Sequence, residues 1–379
     1  MKKFLIIILF IFAGVFSPIC AQEVSFIYIN GSNNNNEKMK SWFFEGIQKF
    51  HPEMKKAFEN DPFAYEKFLK NGKDTIKGEP VPFFWGDMSK VEIDALNQDL
   101  NLAKAFSPKI SQLVREAFAY FLHDAIWVVK EHNMNPIVDK LHELVMYEYG
   151  NGNKILLYGY SAGSFITYEY LLEKARYIDP DNLLETLKMP ESLRQDLYSK
   201  DVKDTCPDAI QASRLAVISA SGELVVNQNI EQVKAIYENL DRYTETACVP
   251  DDAVVGIVNF ASPFPLFYSE IGDMNSFLTV TSKLLYIHMV KNNQFFLTVN
   301  WANDPLGFPM GRNAPLNEIE KYLNVKIENP KGYVYDKSDK KSRSNFVMAH
   351  TSYWSNAKRF AKNVVEAYKM GYINYYGAN

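Results

Sequence analysis

Residues 154–172 predict the central strand and helix of the fold. This stretch reads Lys154-Ile-Leu-Leu-Tyr-Gly-Tyr-Ser-Ala-Gly-Ser-Phe-Ile-Thr-Tyr-Glu-Tyr-Leu-Leu172. Its first part, Ile155 to Tyr158, is a short apolar run of the kind that forms a buried parallel strand. Its last part, from Phe165 onward, continues as a helix with an apolar face. Between them stand the residues Gly-Tyr-Ser-Ala-Gly over 159–163, which predict a sharp turn with glycines where neighbouring backbone comes too close for side chains.

A G-x-S-x-G sequence on a strand, turn and helix is typical of a nucleophile elbow, in which a strained turn holds a serine hydroxyl above the edge of a sheet. Such a serine needs a histidine to take its proton and an acid to orient that histidine. In chains with this elbow, the acid and the histidine follow the serine in that order. The alternative interpretation is a glycine-rich turn with an incidental serine.

Apolar runs alternate with amphipathic stretches along the rest of the chain, which predicts an α/β fold with a mostly parallel sheet and helices on both faces. The further predicted strands are 24–29, 81–85, 254–260, 294–299 and 332–335. Residues 178–252 do not fit one strand–helix unit, and we interpret them as a helical insertion and a candidate cap. In such sheets chemistry gathers beyond the carboxyl ends of the strands.

Ser161, Asp304 and His350 each follow a predicted strand closely, and they occur in the required order. We predict that Ser161 is the nucleophile and that His350 is the general base, later acting as the general acid. Asp304 is then the acid that orients the imidazole. Two other acids remain as alternatives: Asp273 begins a predicted helix, and Asp336 follows the last predicted strand.

When a serine attacks a carbonyl group, the carbonyl oxygen becomes an oxyanion. We predict that the backbone N–H of Ala162, together with that of Gly31 or Ser32, donates hydrogen bonds to this oxyanion. Gly31 and Ser32 follow the first predicted strand, and a glycine loop in that position supplies the second donor in hydrolases with this elbow. The alternative is an ordinary polar turn. The sequence contains no metal-ligand cluster, phosphate loop or dinucleotide fingerprint, so we expect no metal and no cofactor.

Taken together, these residues resemble the α/β-hydrolases, and among them the serine esterases and lipases. The resemblance spans about residues 24–370 and is carried by Gly159-Tyr160-Ser161-Ala162-Gly163, Asn30-Gly31-Ser32, Trp301-Ala302-Asn303-Asp304-Pro305 and Ala349-His350-Thr351-Ser352-Tyr353-Trp354. It implies an α/β-hydrolase fold and cleavage of carboxylic esters through an acyl-enzyme. Two positions depart from the common pattern: Tyr160 and Asn30 stand where many members have histidine.

Other functions remain as alternatives at this stage. The chain could be a non-catalytic binding protein, because a fold does not determine a function. It could also be a hydrolase of thioesters or amides, or an acyltransferase, since all use the same machinery. Aromatic residues near the motifs favour a medium or long acyl chain in the substrate. They are Tyr160, Phe165, Phe264, Phe267, Trp301, Phe308, Tyr353 and Trp354.

The first 21 residues are typical of a signal peptide, because Lys2 and Lys3 precede an apolar run over 4–16 and a cleavage site after Ala21. That run is too short to span a bilayer comfortably. We therefore expect an exported protein, secreted or periplasmic, with residues 22–379 as the hydrolase domain and no membrane span. Cleavage removes two lysines and no acid, so the formal charge changes from −4 to −6, which argues against nucleic acid as a partner.

The composition is that of a globular protein, since 47% hydrophobic and 23% charged residues suffice for a sizeable core. Cys206 and Cys248 are the cysteines of the mature chain. In an oxidising compartment they either pair or remain separate buried thiols. The expected partner is a small-molecule or lipid ester substrate.

Overall fold

The structure is a computed structural model, and it describes residues 22–32, 37–104, 119–120, 123–174, 216–218, 224–226, 249–263, 289, 292–308, 333–337 and 341–376. The predicted signal peptide, Cys206 and Cys248 lie outside the described residues. Most of the predicted insertion 178–252 does so too. Its described part includes two short strands that pair antiparallel with each other.

A parallel sheet forms the centre of the fold. The described strands are β1 Gln22–Ile29, β2 Asp74–Ile76, β3 Val81–Phe83, β4 Lys154–Tyr160, β5 Ala216–Ile218, β6 Leu224–Val226, β7 Val254–Phe260, β8 Phe295–Val299 and β9 Tyr333–Lys337. The main sheet has the order β2-β1-β4-β7-β8-β9, and β3 also pairs with β1. All pairs of this sheet are parallel, which confirms the predicted α/β class.

Helices follow most strands of the main sheet. They are α1 Glu37–Asn60, α2 Pro62–Lys67, α3 Lys90–Lys104, α4 Glu131–Gly150, α5 Gly163–Lys174, α6 Phe346–Ala349, α7 Ser352–Ser355 and α8 Ala357–Tyr376, with a 3₁₀ helix at Gly86–Ser89. Residues 123–128 are also helical. Within the described part of the chain, none of these helices is long and apolar enough to cross a membrane.

Apolar side chains leave the sheet on both faces. In β1, Ile27 and Ile29 join the cluster formed with α4 and α5, whereas Phe26 and Tyr28 join the cluster formed with α1 and α8. Successive side chains of a strand point to opposite faces, so one pair of helices covers each face. The sequence reads as a continuous apolar run because both faces of the strand are buried.

Helix α1 is longer than the sequence predicts. The apolar periodicity of Trp42, Phe43, Ile47 and Phe50 predicts a helix over 38–50, but the helix continues through Pro52 to Asn60. Met54 and Phe58 extend the buried stripe beyond the proline, and both are fully buried. Packing of these side chains against the sheet outweighs the loss of one helical hydrogen bond at proline.

No pattern in the sequence predicts β2. Its three residues pair with the start of β1, from Gln22 opposite Asp74 to Val24 opposite Ile76. A strand of this length with an exposed Thr75 at its centre has too little periodicity to be distinguished from a loop. Its place in the sheet therefore comes from tertiary contacts.

The connections of β1 and β4 create a crevice. These strands are neighbours, paired from Val24 opposite Lys154 to Ile29 opposite Gly159. The chain leaves β1 for β2 and β3 on one side of the sheet and leaves β4 for β7 on the other. In open α/β sheets, connections that diverge in this way leave a crevice beyond the carboxyl ends of the two strands. Residues 30–32 and 161–163 lie at that place.

Candidate active site

Ser161 is the first residue after β4, and its backbone is left-handed with φ +53°. This conformation costs a non-glycine residue about 1–3 kcal/mol, so the surroundings must hold it. The Ser161 N–H donates to the carbonyl of Phe260 at 3.0 Å and continues the ladder between β4 and β7. The N–H and the hydroxyl of Ser164 both donate to the Ser161 carbonyl, at 2.9 and 2.6 Å. The turn is therefore fixed from both ends.

The two glycines of the turn allow the close approach that the sequence predicted. A β-carbon at Gly159 would lie 2.4 Å from Asn259 Oδ1. A β-carbon at Gly163 would lie 2.5 Å from the carbonyl oxygen of Ile29. Neither contact is sterically allowed, so any side chain would displace backbone. As a result, α5 begins directly against the end of β1.

The structure brings Ser161, His350 and Asp304 together. His350 Nε2 lies 3.0 Å from Ser161 Oγ, and His350 Nδ1 lies 3.0 and 3.2 Å from the two carboxylate oxygens of Asp304. Because an ionised carboxylate only accepts, Nδ1 carries the proton and donates to Asp304. The lone pair of Nε2 then faces the serine hydroxyl. This is the arrangement that proton transfer from serine to histidine requires.

These three side chains differ in their contact with solvent. The Asp304 side chain is fully buried, Ser161 is 2% exposed, and the His350 side chain is 16% exposed. Solvent therefore reaches this hydrogen-bonded network at the imidazole of His350 and is excluded from the carboxylate of Asp304. A buried carboxylate requires hydrogen-bond donors on both of its oxygens.

Asp304 receives those donors from its own turn and from α7. The Leu306 N–H donates to Oδ1 at 2.9 Å, and the Tyr353 hydroxyl donates to Oδ2 at 2.8 Å. Burial and the charge of Asp304 raise the pKa of Tyr353 well above its ordinary value, so this hydroxyl keeps its proton. From the sequence, Tyr353 is expected only among the aromatic residues near the substrate. No local pattern places its hydroxyl on Asp304, because the contact joins positions 49 residues apart.

Of the two alternative acids, only Asp336 lies in the described part of the chain. Asp336 was expected to follow the last strand, but it lies within β9, paired with Thr298 of β8. The prediction was wrong because the strand extends two residues further than its apolar run. Asp273 lies outside the described residues.

His350 stands at the junction of two short helices, α6 and α7, where the sequence predicted a loop. Asn303, beside the acid, joins this segment to the turn after β8. Its Oδ1 accepts the N–H of Ser342 at 2.7 Å, and its Nδ2 donates to the carbonyl of Ser344 at 3.0 Å. These two bonds hold together the two segments that carry the acid and the histidine.

The loop after β1 presses against the serine. A β-carbon at Gly31 would lie 2.6 Å from Ser161 Cβ, so only glycine fits there. Asn30 anchors the loop: its Oδ1 accepts the N–H of Trp85 at 3.0 Å, and its carbonyl accepts the indole N–H at 2.8 Å. The position of the loop agrees with the predicted oxyanion site, and the donor roles of Gly31, Ser32 and Ala162 remain predictions.

Most of the aromatic residues assigned to a substrate pocket belong to the core. Five of them are buried at 7% exposure or less, namely Tyr160, Phe165, Trp301, Tyr353 and Trp354. Phe264 and Phe267 lie outside the described residues, and Phe308 is partly exposed. Aromatic content near the motifs therefore reflects packing under the site more than a wall for an acyl chain.

In the described ranges, no three His, Cys, Asp or Glu side chains are grouped to hold a metal ion. Fold and site together define an α/β protein with a parallel sheet and a Ser–His–Asp contact chain at its carboxyl edge. Comparisons with family models, with curated proteins and with solved structures each found no match to this chain. Function must accordingly be argued from the geometry of the site.

Proposed function

We propose that the protein is a serine hydrolase that cleaves carboxylic esters. The observation that carries this proposal is the contact chain from Ser161 Oγ to His350 Nε2, and from His350 Nδ1 to Asp304, with heavy-atom separations of 3.0 to 3.2 Å. The strained backbone of Ser161 and the glycine loop packed against it support the same function. They resemble the elbow and the oxyanion loop of the α/β-hydrolases.

The reaction follows from these groups. Ser161 Oγ attacks the ester carbonyl carbon while its proton passes to His350 Nε2, and the carbonyl oxygen becomes an oxyanion. Asp304 stabilises the imidazolium. The imidazolium then gives the proton to the leaving alkoxide, which departs as the alcohol and leaves an acyl-enzyme. His350 then takes a proton from a water molecule, and the water oxygen attacks the acyl carbon. As the bond from that carbon to Ser161 Oγ breaks, the imidazolium returns the proton to Oγ and the acid is released.

Backbone N–H groups at the crevice between the carboxyl ends of β1 and β4 are proposed to stabilise the oxyanion. We assign the N–H of Ala162 and one N–H from Gly31 or Ser32, because 31–32 follow β1 and 162 begins the turn into α5. Loss of one such donor typically raises the barrier by about 3–4 kcal/mol. We also propose export of the mature chain, on the basis of its first 21 residues.

A series of p-nitrophenyl esters from acetate to palmitate, with wild type and Ser161→Ala compared, tests the proposal. We expect ester hydrolysis by the wild type alone, and the series ranks the acyl chains that the site accepts. Turnover of thioesters or amides without esters would refute ester specificity, and equal hydrolysis by both proteins would refute Ser161 as the nucleophile.

A further inference from the structure

Two buried tyrosine hydroxyls contact the segments that carry the acid and the histidine. Tyr353 donates to Asp304 Oδ2 at 2.8 Å, and Tyr160 donates to the backbone carbonyl of His350 at 3.0 Å. We propose that Tyr353 and Tyr160 are positioning residues that hold Asp304 and His350 in line with Ser161. This inference rests on the proposed function and concerns residues that the reaction itself does not consume.

The hydroxyl proton of Tyr353 has a fixed direction. Its oxygen accepts the N–H of Trp301 at 2.8 Å, and a backbone N–H only donates. The tyrosine proton must therefore point to Asp304. The Leu306 N–H occupies the other carboxylate oxygen at 2.9 Å, so each oxygen has a donor besides the imidazole. With both oxygens held, the carboxylate cannot rotate away from His350 Nδ1.

Tyr160 fixes the histidine from its backbone. It immediately precedes Ser161, so one residue links the elbow to the segment that carries His350. The centroid of its ring lies 5.6 Å from the centroid of the His350 imidazole and 5.1 Å from that of the Trp354 ring. Burial and the charge of Asp304 raise the pKa of Tyr160, so this hydroxyl also remains a donor. This role accounts for the tyrosine at a position where many α/β-hydrolases have histidine.

The rings themselves are held by packing. Tyr353 stacks on Trp301 at 5.5 Å and meets Phe360 edge-on at 5.0 Å, while both tyrosines contact Phe260. A tyrosine has only two side-chain torsions, and packing on several sides fixes both of them. The hydroxyl positions are thus set by the core under the site, not by solvent-exposed loops.

The test measures the rate at which a fluorophosphonate labels Ser161 in the full-length mature protein. This rate reports the activation of the serine whatever acyl group the natural substrate carries. Tyr353→Phe and Tyr160→Phe each remove one oxygen, and we expect labelling to slow by about 10- to 100-fold, the scale of a misplaced catalytic group. Tyr158→Phe is the matched control, because that tyrosine is fully buried in β4 and its hydroxyl has no hydrogen-bond partner among the described residues. We expect the control to label at the wild-type rate.

A double-mutant cycle separates positioning from simple structural support. If Tyr353 acts through Asp304, Tyr353→Phe slows labelling in the wild type but changes it less than about twofold in Asp304→Ala. An equal loss in both backgrounds would mean that the Tyr353 hydroxyl only supports packing, and it would overturn the proposal. Because His350→Ala leaves no labelling rate to compare, Tyr160 is tested by Tyr160→Phe against Tyr158→Phe at equal folded fraction, and equal rates would overturn its role.

Outcomes for the two proposals can be told apart. Wild-type labelling rates in both Tyr→Phe variants would overturn the positioning role and leave the proposed function intact. Absence of labelling at Ser161 in the wild type would overturn the proposed function, and the positioning role with it. Labelling without ester turnover would refute ester specificity alone. The double-mutant cycle would still test the positioning role, because it compares labelling rates. Thermal unfolding of each variant identifies a rate loss that comes from an unfolded fraction.

Discussion

The two ends of the sheet each bury a serine near a carboxylate, yet a histidine lies between serine and carboxylate at the carboxyl end alone. At the carboxyl end, Ser161 contacts His350, which contacts Asp304. At the amino end, the Ser25 hydroxyl donates directly to Glu148. The difference is the histidine between them, because an imidazole can take the serine proton at neutral pH and a carboxylate that already accepts several donors is a poor base.

At the amino end of the sheet, both carboxylate oxygens of Glu148 already accept hydrogen bonds. Besides Ser25, Glu148 accepts Lys77 Nζ on both oxygens at 2.9 Å and Asn153 Nδ2 at 2.8 Å. Burial pushes the pKa of Glu148 upward, but these donors outweigh burial and lower the pKa below its ordinary value. A lysine ammonium group only donates hydrogen bonds, so Lys77 offers the serine proton no acceptor. This end therefore stabilises the join between β1, β2 and α4.

The two serines also differ in their backbone conformation. Ser25 lies within the regular strand β1, whereas Ser161 has φ +53° directly after a strand. Strain at Ser161 is held by bonds from both sides and lifts the hydroxyl out of the sheet. Similar residue types thus give a structural network in one place and a candidate catalytic network in the other, according to backbone and neighbours.

The largest effect is expected for the serines themselves. Ser161→Ala should reduce hydrolysis by about 10⁶-fold, because the nucleophile is lost. Ser25→Ala, the matched control, should keep wild-type kcat and lose about 1–3 kcal/mol of unfolding free energy, because Glu148 loses one donor. Ester kinetics and urea unfolding of both variants test this contrast. A loss of kcat in Ser25→Ala would erase the distinction between the two ends.

The next effect concerns the acid. Asp304→Ala should reduce kcat by about 10⁴-fold, since the imidazole loses the group that orients it. Adding Ser161→Ala to this variant should lower activity hardly further than Ser161→Ala does alone, because such residues act as a unit. Asp336→Ala, which changes the alternative acid in β9, is the control and should remain active. Full activity of Asp304→Ala would transfer the role to Asp336 or Asp273.

At the amino end the change should affect stability alone. Glu148→Gln keeps the shape of the side chain but removes its charge, so the ionic part of the bonds from Lys77 and Ser25 is lost. We expect the unfolding free energy at neutral pH to fall by about 2 kcal/mol, with kcat per folded molecule unchanged. Urea unfolding and kinetics of the same preparation provide both numbers. A reduced kcat without a stability loss would contradict a purely structural role.

The smallest effect is the pH dependence of that stability. The pKa of Glu148 is lower in the folded protein than in the unfolded chain, so its contribution is complete above the ordinary Glu pKa of about 4.3. It is lost as pH falls through that value toward the lower pKa of the folded state. The stability difference between wild type and Glu148→Gln should therefore shrink between about pH 5 and pH 3. A difference independent of pH would show that the charge contributes nothing.

The sequence predicted those elements whose pattern is local. The apolar run Val254–Phe260 was predicted with the bounds that the structure has, because both faces of that strand are buried. By contrast, β2 and the second half of α1 were missed. Their stability comes from pairing with β1 and from burial of Met54 and Phe58, which propensity and proline rules do not contain.

The candidate site follows the same division. Ser161, Asp304 and His350 could be selected by motif, order and position after strands. The contact of Tyr353 with Asp304 and those of Ser25 and Lys77 with Glu148 could not, since they join segments far apart in the chain. Leu306 donates within the turn of Asp304 itself, and the sequence shows no pattern that sets the shape of that turn. The exposed or buried state of aromatic residues near the motifs was also beyond the sequence, because composition does not distinguish a pocket from a core.

Peptide-mapped labelling of the native protein with a fluorophosphonate tests directly whether His350 activates Ser161. We expect one adduct, on Ser161, with none on Ser25, and we expect His350→Ala to abolish the adduct while leaving the fold intact. A native wild-type protein without an adduct on Ser161, or a His350→Ala variant labelled as well as the wild type, would refute this activation.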